Sequence, residues 1–438
     1  METLNSLGLT LVSFVFVLGV LIFIHELGHH VVAKLLGIRV ETFSLGFGPR
    51  LLGFRMGDTD YRVSLIPLGG YVKMTGENPD EELTGSHEEF LSRPKRHRFA
   101  VVIAGPLMNL GLAVALLSVG FMNGTEVPVY EKQPGVLGEV LPDSPAAAAG
   151  LQQGDTIVAI DRDATPTWKD VQFSIATSPN LLREVEYVRG DETLSTEILI
   201  AARGELGIGY IGIYPYVPYF VSELQPDSPA ILADLRTGDE VISVGRGDEI
   251  KSGFYAIANL VSQAENVPLE FQIRRNGEIL TKNIVPEAKD GRPQVGAFLK
   301  LDTVFEQYGP WGALKRSVSE NVEMAELTFV TVGRLLSGRA SINQMSGPIE
   351  IARFSGMAAQ QGLLSLITFM AIISLQLGLL NLLPIPILDG GVIALMAIES
   401  IIGRDLSLHV KERIIQVGLV FIVLLMGVVI FNDIAKQF

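Results

Sequence analysis

The segment His25-Glu26-Leu27-Gly28-His29 has the residue types of a metal-dependent hydrolase. In a helix, His25 and His29 are one turn apart on the same face, so both imidazoles can bind one Zn2+ ion. Glu26 lies beside them as a candidate general base. A bound Zn2+ ion lowers the pKa of a coordinated water from about 15.7 to about 7, which makes hydroxide available at neutral pH. The motif therefore predicts hydrolysis of a peptide bond.

The motif lies in an apolar segment, residues 7–36, and not on a polar surface helix. Ionisable side chains inside a membrane span cost about 3 kcal/mol each on insertion scales, so they are retained mostly where they have a function. This setting favours a functional motif over a chance match. The segment lacks the basic start of a signal peptide and is too long for its apolar core. We therefore interpret residues 1–36 as a retained transmembrane helix.

The chain has 438 residues, of which 48% are hydrophobic, and this composition indicates an integral membrane protein. Lys and Arg are frequent in residues 37–98, which predicts that this loop is cytoplasmic and that the region after the second span is external. The metal motif then lies near the cytoplasmic end of its helix. Four segments are apolar and long enough to be transmembrane helices: residues 1–36, 99–122, 363–391 and 413–432.

A catalytic zinc site needs a third protein ligand, and the chain contains no cysteine. The best candidate is Asp389, in the segment Asn381-Leu382-Leu383-Pro384-Ile385-Pro386-Ile387-Leu388-Asp389-Gly390 at the end of the third span. The two prolines interrupt the helix, which a membrane protein tolerates where a water-filled cavity receives the freed backbone groups. An active site supplies such a cavity. The alternative is that Asp389 is only a cap that terminates the helix.

A sequence repeat lies between the second and third spans. Each copy contains Pro-Asp-Ser-Pro-Ala followed by Gly-Asp and β-branched residues, at residues 142–158 and again at residues 226–242. This order predicts a strand, a turn, a short helix and a second strand. We predict two tandem α+β domains, at residues 127–213 and 214–300. Acidic residues exceed basic ones in this region and the net charge is −14, which argues against a nucleic-acid partner.

Two further segments have periodic patterns. Residues 61–65 and 69–74 alternate as strands around Pro67 and predict a β-hairpin. Its exposed edge, with Gly69, Gly70 and Tyr71, can give an unwound substrate replacement backbone hydrogen bonds. A hairpin that only packs against other elements is the alternative. Residues 304–345 predict an amphipathic helix, which lies on the membrane surface or packs between domains.

The repeated domains resemble PDZ domains of the type associated with bacterial proteases, in which the Ser-Pro-Ala and Gly-Asp elements recur in this order. Such domains bind an extended peptide as an added strand. The segments Val136-Leu137-Gly138 and Phe220-Val221-Ser222 occupy the expected peptide-binding positions. The alternative is that the pair acts as a steric cap that admits only substrates with a small external part.

The His-Glu-x-x-His motif, the Asn-x-x-Pro-x-x-x-Leu-Asp-Gly motif and the tandem PDZ domains together resemble the site-2 proteases, a family of intramembrane zinc metalloproteases. The resemblance covers nearly the whole chain. It implies a multi-domain α-helical membrane protein with four transmembrane helices, a membrane-associated β-hairpin and two PDZ domains outside the membrane. It also implies zinc ligands at His25, His29 and Asp389, with Glu26 as general base. Asn381 is then expected to help to hold the substrate or polarise its carbonyl, and Asn109 in the second span to support the site.

The resemblance also implies substrates and a location. The substrates are single-span membrane proteins with trimmed external parts, of the anti-sigma factor type in envelope stress signalling, together with remnant signal peptides. The location is the bacterial inner membrane, with the PDZ domains in the periplasm. A non-enzymatic PDZ scaffold in the bilayer is the alternative from another class, although the intact Glu26 and Asp389 argue against it. A site-2 protease that acts on a different regulator is a further alternative.

Overall fold

The computed structural model describes residues 2–78, 83–203, 208–247, 249–289, 292–338 and 347–435. The chain divides into two units, Met1–Gly124 with Gln307–Phe438, and Thr125–Glu306. The helices are α1 Glu2–Leu35, α2 Lys95–Asn123, α3 Pro145–Ala148, α4 Trp168–Ala176, α5 Pro229–Leu232, α6 Phe254–Ser262, α7 Pro310–Leu336, α8 Pro348–Gln361, α9 Leu363–Asn381, α10 Asp389–Ile402 and α11 Leu408–Ala435. A short 3-10 helix covers Val129–Lys132.

Strands occur in both units. The strands of the first unit are β1 Val40–Met56 and β2 Thr59–Met74. Those of the second unit are β3 Thr125–Pro128, β4 Gly135–Val140, β5 Thr156–Ile160, β6 Asp163–Ala164, β7 Leu182–Arg189, β8 Glu192–Leu199, β9 Ala201–Arg203, β10 Ile208–Tyr210, β11 Ile213–Pro215, β12 Tyr219–Leu224, β13 Glu240–Arg246, β14 Glu249–Lys251, β15 Leu269–Arg275, β16 Glu278–Ile284, β17 Glu287–Lys289, β18 Arg292–Gln294, β19 Ala297–Leu301 and β20 Thr303–Glu306.

Within the described ranges, four helices are long and apolar enough to cross a membrane, in α1, α2, α9 and α11. The third candidate span differs from its predicted extent of residues 363–391. Helix α9 ends at Asn381, residues 382–388 are not helical, and a new helix begins at Asp389. Pro384 and Pro386 cannot donate backbone hydrogen bonds, which explains the break. Asp389 therefore begins a helix, and the interpretation of it as a helix-terminating cap is wrong.

Small residues allow the apolar helices of the first unit to approach closely. A Cβ atom on Gly28 of α1 would lie 2.4 Å from the carbonyl oxygen of Ala104 in α2. A Cβ atom on Gly378 of α9 would lie 3.1 Å from the carbonyl oxygen of Pro106. Close backbone contact of this kind is typical of packed membrane helices, where dispersion replaces the hydrophobic effect as the driving force. Helix α2 thus packs between α1 and α9.

The sheet of the first unit differs from the predicted hairpin. Residues 61–65 and 69–74 do not pair with each other, because the start of β1 lies between them. Phe43 is opposite Val72 on one side and Tyr61 on the other. The sequence pattern does not predict this central strand, because two of its buried side chains, Thr42 and Ser44, are polar. Ser44 is nevertheless satisfied, because its hydroxyl lies 2.9 Å from that of Ser64. The predicted pairing was therefore wrong.

Helix α7 packs along two apolar helices. The Ser317 hydroxyl donates a 2.7 Å hydrogen bond to the carbonyl oxygen of Val114 in α2. Farther along α7, the Thr328 hydroxyl lies 2.9 Å from the side-chain nitrogen of Gln376 in α9. Met324 packs between these points against the core of α2 and α9. A helix lying flat on a membrane surface cannot follow two spanning helices in this way, so that interpretation of residues 304–345 was wrong for the described part of α7.

The second unit contains two sheets of similar order, β11-β4-β5-β7-β8 and β16-β15-β13-β12-β19, each with its own buried core. The predicted peptide-binding segments were Val136-Leu137-Gly138 and Phe220-Val221-Ser222. They lie on β4 and β12, which have a strand on both sides. A strand that is paired on both edges cannot accept a third partner. The edge strands next to β4 and β12 are β11 and β19, and the opposite edges are β8 and β16. The two peptide-binding assignments were therefore wrong.

Candidate metal centre

His25 and His29 lie one turn apart on α1, and their side chains meet. Their Nε2 atoms are 3.2 Å apart, and the two rings are almost perpendicular with centroids 4.8 Å apart. Both side chains are largely buried, at 13% and 12% exposure. The helical spacing of the motif produces this arrangement, because residues i and i+4 project from the same face.

Asp389 completes the cluster from a distant part of the chain. Its Oδ2 atom is 3.2 Å from His25 Nε2, and its Oδ1 atom is 3.6 Å from His29 Nε2. One donor atom from each of these three residues lies within 4.8 Å of the others. Two imidazoles and one carboxylate are a donor set that suits Zn2+, and three ligands leave an open position for a water or substrate. The residues therefore fit this ion.

The rings of the two histidines are oriented by groups from α2. His29 Nδ1 lies 2.9 Å from the carbonyl oxygen of Val101, which fixes Nδ1 as the protonated nitrogen and leaves Nε2 for a metal. His25 Nδ1 lies 3.5 Å from the Asn109 side-chain nitrogen. If His25 also binds through Nε2, its Nδ1–H needs an acceptor. The buried Asn109 Oδ1 has no hydrogen-bond partner among the described residues. Rotating the amide places that oxygen against His25 and satisfies both groups.

Substitution of Asn109 tests this supporting role. Asn109→Ala removes the acceptor for His25 Nδ1–H and is expected to weaken zinc binding by about 10–100-fold, as is usual for partners of metal-binding histidines. Asn109→Asp keeps an acceptor and should retain more affinity. Competition with a zinc chelator measures both variants against the wild type. Equal zinc affinity in Asn109→Ala and the wild type would contradict the role.

Gly105 gives the rings the space they need. A Cβ atom at this position would lie 2.3 Å from His29 Nε2 and 2.8 Å from His25 Cε1. The glycine therefore borders the candidate donor atoms. The available signal was its location four residues before Asn109 on the same helix face.

Glu26 lies between the donor cluster and the sheet. Its carboxylate lies near the backbone N–H of Val72, on the β2 segment 69–74. A Cβ atom on Gly70 would lie 3.2 Å from Glu26 Cγ, so only glycine permits this approach without displacement. The carboxylate is therefore adjacent to both the histidines and the strand edge.

The other residues predicted for the site are Gly69 and Tyr71 of the β2 segment 69–74 and Asn381 at the end of α9. Gly69 has φ +120°, and a Cβ there would lie 2.2 Å from the Phe47 ring. Tyr71 stacks on Phe47 and accepts a hydrogen bond from Arg62, so its side chain belongs to the sheet. Asn381 is the last residue of α9, where the turn toward Asp389 begins.

Sequence reasoning missed a strained residue beside the metal cluster. Ile387 has φ +89°, a conformation that β-branched residues avoid. Such a residue costs about 1–3 kcal/mol and persists only where its surroundings enforce it. Strain of this type cannot be recognised from residue type alone. Ile387 lies two residues before Asp389, so the backbone that leads to the Asp389 carboxylate is held in an unfavourable conformation.

The fold and the site define a membrane-embedded metal-dependent hydrolase, because the donor side chains lie on helices that include a candidate membrane span. The model of peptidase family M50 matches residues 13–425. The chain therefore belongs to peptidase family M50 and is a zinc metalloprotease.

Curated relatives extend over nearly the full chain. The regulator of sigma-E protease RseP of Escherichia coli (strain K12) is 33% identical and aligns over 97% of this chain and 98% of its own length. A putative zinc metalloprotease of Neisseria meningitidis is 34% identical, and the alignment covers 98% of this chain and 99% of the Neisseria protein. Among solved structures, the PDZ domain of an SdrC-like protein from Listeria monocytogenes is 26% identical. The matched region covers 20% of this chain and 94% of the Listeria chain, with a TM-score of 0.18.

Proposed function

We propose that this protein is a zinc endopeptidase that cleaves single-span membrane proteins within the membrane. The observation that carries the proposal is the meeting of His25, His29 and Asp389, with donor atoms within 4.8 Å of one another. His25 and His29 lie on a helix long and apolar enough to cross a membrane. In the proposal these three residues bind zinc, and Glu26 beside them is the general base.

Zinc, when bound, supplies a Lewis acid and lowers the pKa of water in its open coordination position. Glu26 accepts a proton from the attacking water on its carboxylate and later donates it to the leaving amine. The close approach of Glu26 to the cluster suits both transfers. Asn109 and the Val101 carbonyl hold the imidazoles in the required tautomer.

The edge of the β2 segment 69–74 is the proposed substrate-binding element. A peptide bond in a transmembrane helix has its carbonyl bonded to the N–H four residues later, so the helix must unwind before cleavage. The segment pairs with β1 on one side, and its other side faces Glu26 through the Val72 N–H. An unwound substrate can pair with this edge and place its scissile bond next to the base. Gly69 and Gly70 are proposed to belong to this substrate-binding edge, and Asn381 is proposed to hold the substrate.

The relatives and the charge pattern favour a role in the bacterial envelope. We propose that the protein lies in the inner membrane, with the metal site near the cytoplasmic side and the second unit in the periplasm. We propose that its substrates are anti-sigma factors trimmed by an earlier cleavage, and a relative named regulator of sigma-E protease supports a role in sigma-E regulation. Remnant signal peptides are a further proposed substrate.

The second unit is proposed to contain two tandem PDZ domains. A cavity of about 360 Å3 lies beside the edge strand β11, between it and α4. Val171 and Ile175 of α4 line it together with Gly212 and Ile213. An edge strand beside a helix suits addition of a peptide strand, which favours peptide binding over a purely steric cap.

Cleavage in liposomes tests the proposed function. The full-length protein is reconstituted with a single-span substrate, either with its external domain or trimmed to a short external stub. We expect zinc-dependent cleavage inside the membrane segment, and faster cleavage of the trimmed form. A folded, zinc-loaded protein that cleaves neither form, yet binds them, would support the scaffold alternative and contradict the proposal.

A further inference from the structure

The non-helical turn at residues 382–388, which we call the ligand turn, is held between two glycines. A Cβ atom on Gly391 of α10 would lie 2.3 Å from the carbonyl oxygen of Ile385 and 2.9 Å from Pro386 Cα. A Cβ atom on Gly418 of α11 would lie 2.4 Å from Pro386 Cβ and 2.9 Å from its carbonyl oxygen. The backbone of Pro386 is therefore in close contact with a different helix on each side.

This enclosure coincides with the strained residue. Ile387, at φ +89°, follows Pro386 directly and precedes Asp389 by two residues. Strained backbone conformations persist when neighbouring structure leaves no room to relax. The glycine contacts on Pro386 provide such a restriction, because a backbone shift in the turn would meet α10 or α11.

Helix α11 is itself fixed near both ends by buried carboxylates. Asp433, 1% exposed, accepts hydrogen bonds from the N–H groups of Gly347, Ile349 and Glu350 at the start of α8, at 2.9, 3.1 and 3.2 Å. At the other end, Lys411 Nζ lies 2.6 Å from the carboxylate of Glu399 in α10. These polar contacts set the position of the helix relative to α8 and α10.

The surface of α11 between these ends is largely exposed within its unit. Side chains on either side of Gly418 face outward, with Val417 at 69% and Leu419 at 52% exposure. Within this stretch, the buried Gly418 contacts Pro386 and so joins α11 to the ligand turn. A helix fixed at its ends and touching a strained turn in between is suited to hold that turn in place.

We propose that α11 is a positioning element for the metal centre and that Gly418 is its positioning residue. Because residue 418 is a glycine, α11 packs directly against Pro386. This contact keeps Ile387 in its strained conformation and so directs Asp389 toward His25 and His29. The inference rests on the proposed function, since the position of Asp389 matters in this way only if Asp389 binds zinc.

Two matched substitutions on α11 test the inference. Gly418→Leu places a side chain where the backbone of Pro386 lies, whereas Gly427→Leu places the same side chain on the same helix in open space. Gly418→Ala is the milder variant. The full-length proteins are compared for zinc affinity by chelator competition, for kcat and KM in liposomes, and for thermal unfolding.

We expect Gly418→Leu to weaken zinc binding and lower kcat by at least about tenfold, the range seen when groups that orient metal ligands are altered. Gly418→Ala adds only the Cβ atom and should show a smaller loss of both than Gly418→Leu. Gly427→Leu should match the wild type. If Gly418→Ala and Gly418→Leu match Gly427→Leu in zinc affinity and kcat, the inference is wrong and the proposed function stands. A wild type that binds no zinc would instead overturn the proposed function.

Discussion

Replacing Glu26 with Gln is expected to lower kcat for cleavage of a membrane substrate by about 10²–10⁴-fold, the usual contribution of a general base. The amide has nearly the same shape as the carboxylate, but it cannot take a proton from water. Zinc content should remain that of the wild type, because Glu26 is not among the three proposed donors. Cleavage in liposomes and bound zinc are measured on the same samples.

The control for this substitution is Glu88→Gln, which removes a carboxylate from an exposed loop position of the same unit. We expect it to leave kcat unchanged. Wild-type kcat in Glu26→Gln would show that another group accepts the proton. Loss of zinc from Glu26→Gln would show instead that Glu26 holds the metal, which would contradict the assigned roles.

Replacing Asp389 with Ala is expected to remove the third zinc donor and abolish cleavage. Two imidazoles remain, and we expect zinc affinity to fall by more than the roughly 100-fold that loss of a supporting partner causes. Asp389→Asn should also bind zinc weakly, because the amide carries no charge. Chelator competition gives the affinities. Asp58→Ala, at a side chain 64% exposed, is the matched control and should bind zinc as the wild type does.

Full zinc affinity in Asp389→Ala would contradict the assignment of Asp389 as a ligand. An unchanged affinity together with lost cleavage would place Asp389 in contact with the substrate instead. The two readouts therefore separate metal binding from other roles of this carboxylate.

The donor cluster was predictable because each of its parts has a local signature. The spacing of His25 and His29 fixes their common face in any helix, and Asp389 follows a proline-rich interruption that a membrane span tolerates only beside a cavity. The sequence alone does not show that these two segments lie close together in space. The resemblance to a known family supplied that link, and the structure brings the side chains together.

The sheet and α7 show where sequence patterns were insufficient. Strand periodicity identified residues 61–65 and 69–74, but pairing depends on residues 40–45, whose buried Thr42 and Ser44 look like surface positions. The charges of α7 suggested a membrane surface, whereas small and polar residues such as Ser317 allow it to pack on α2. In both cases a polar side chain is satisfied by a distant partner, and such partners are not visible in the local sequence.

Zinc reconstitution tests the central claim most directly. The full-length wild type is stripped of metal with a chelator, placed in liposomes with a trimmed single-span substrate, and titrated with zinc. We predict that cleavage is absent without metal and recovers in proportion to bound zinc, reaching its maximum at about one zinc per chain, the capacity of a single three-ligand site. Cleavage at the full rate by the metal-free protein would contradict the account.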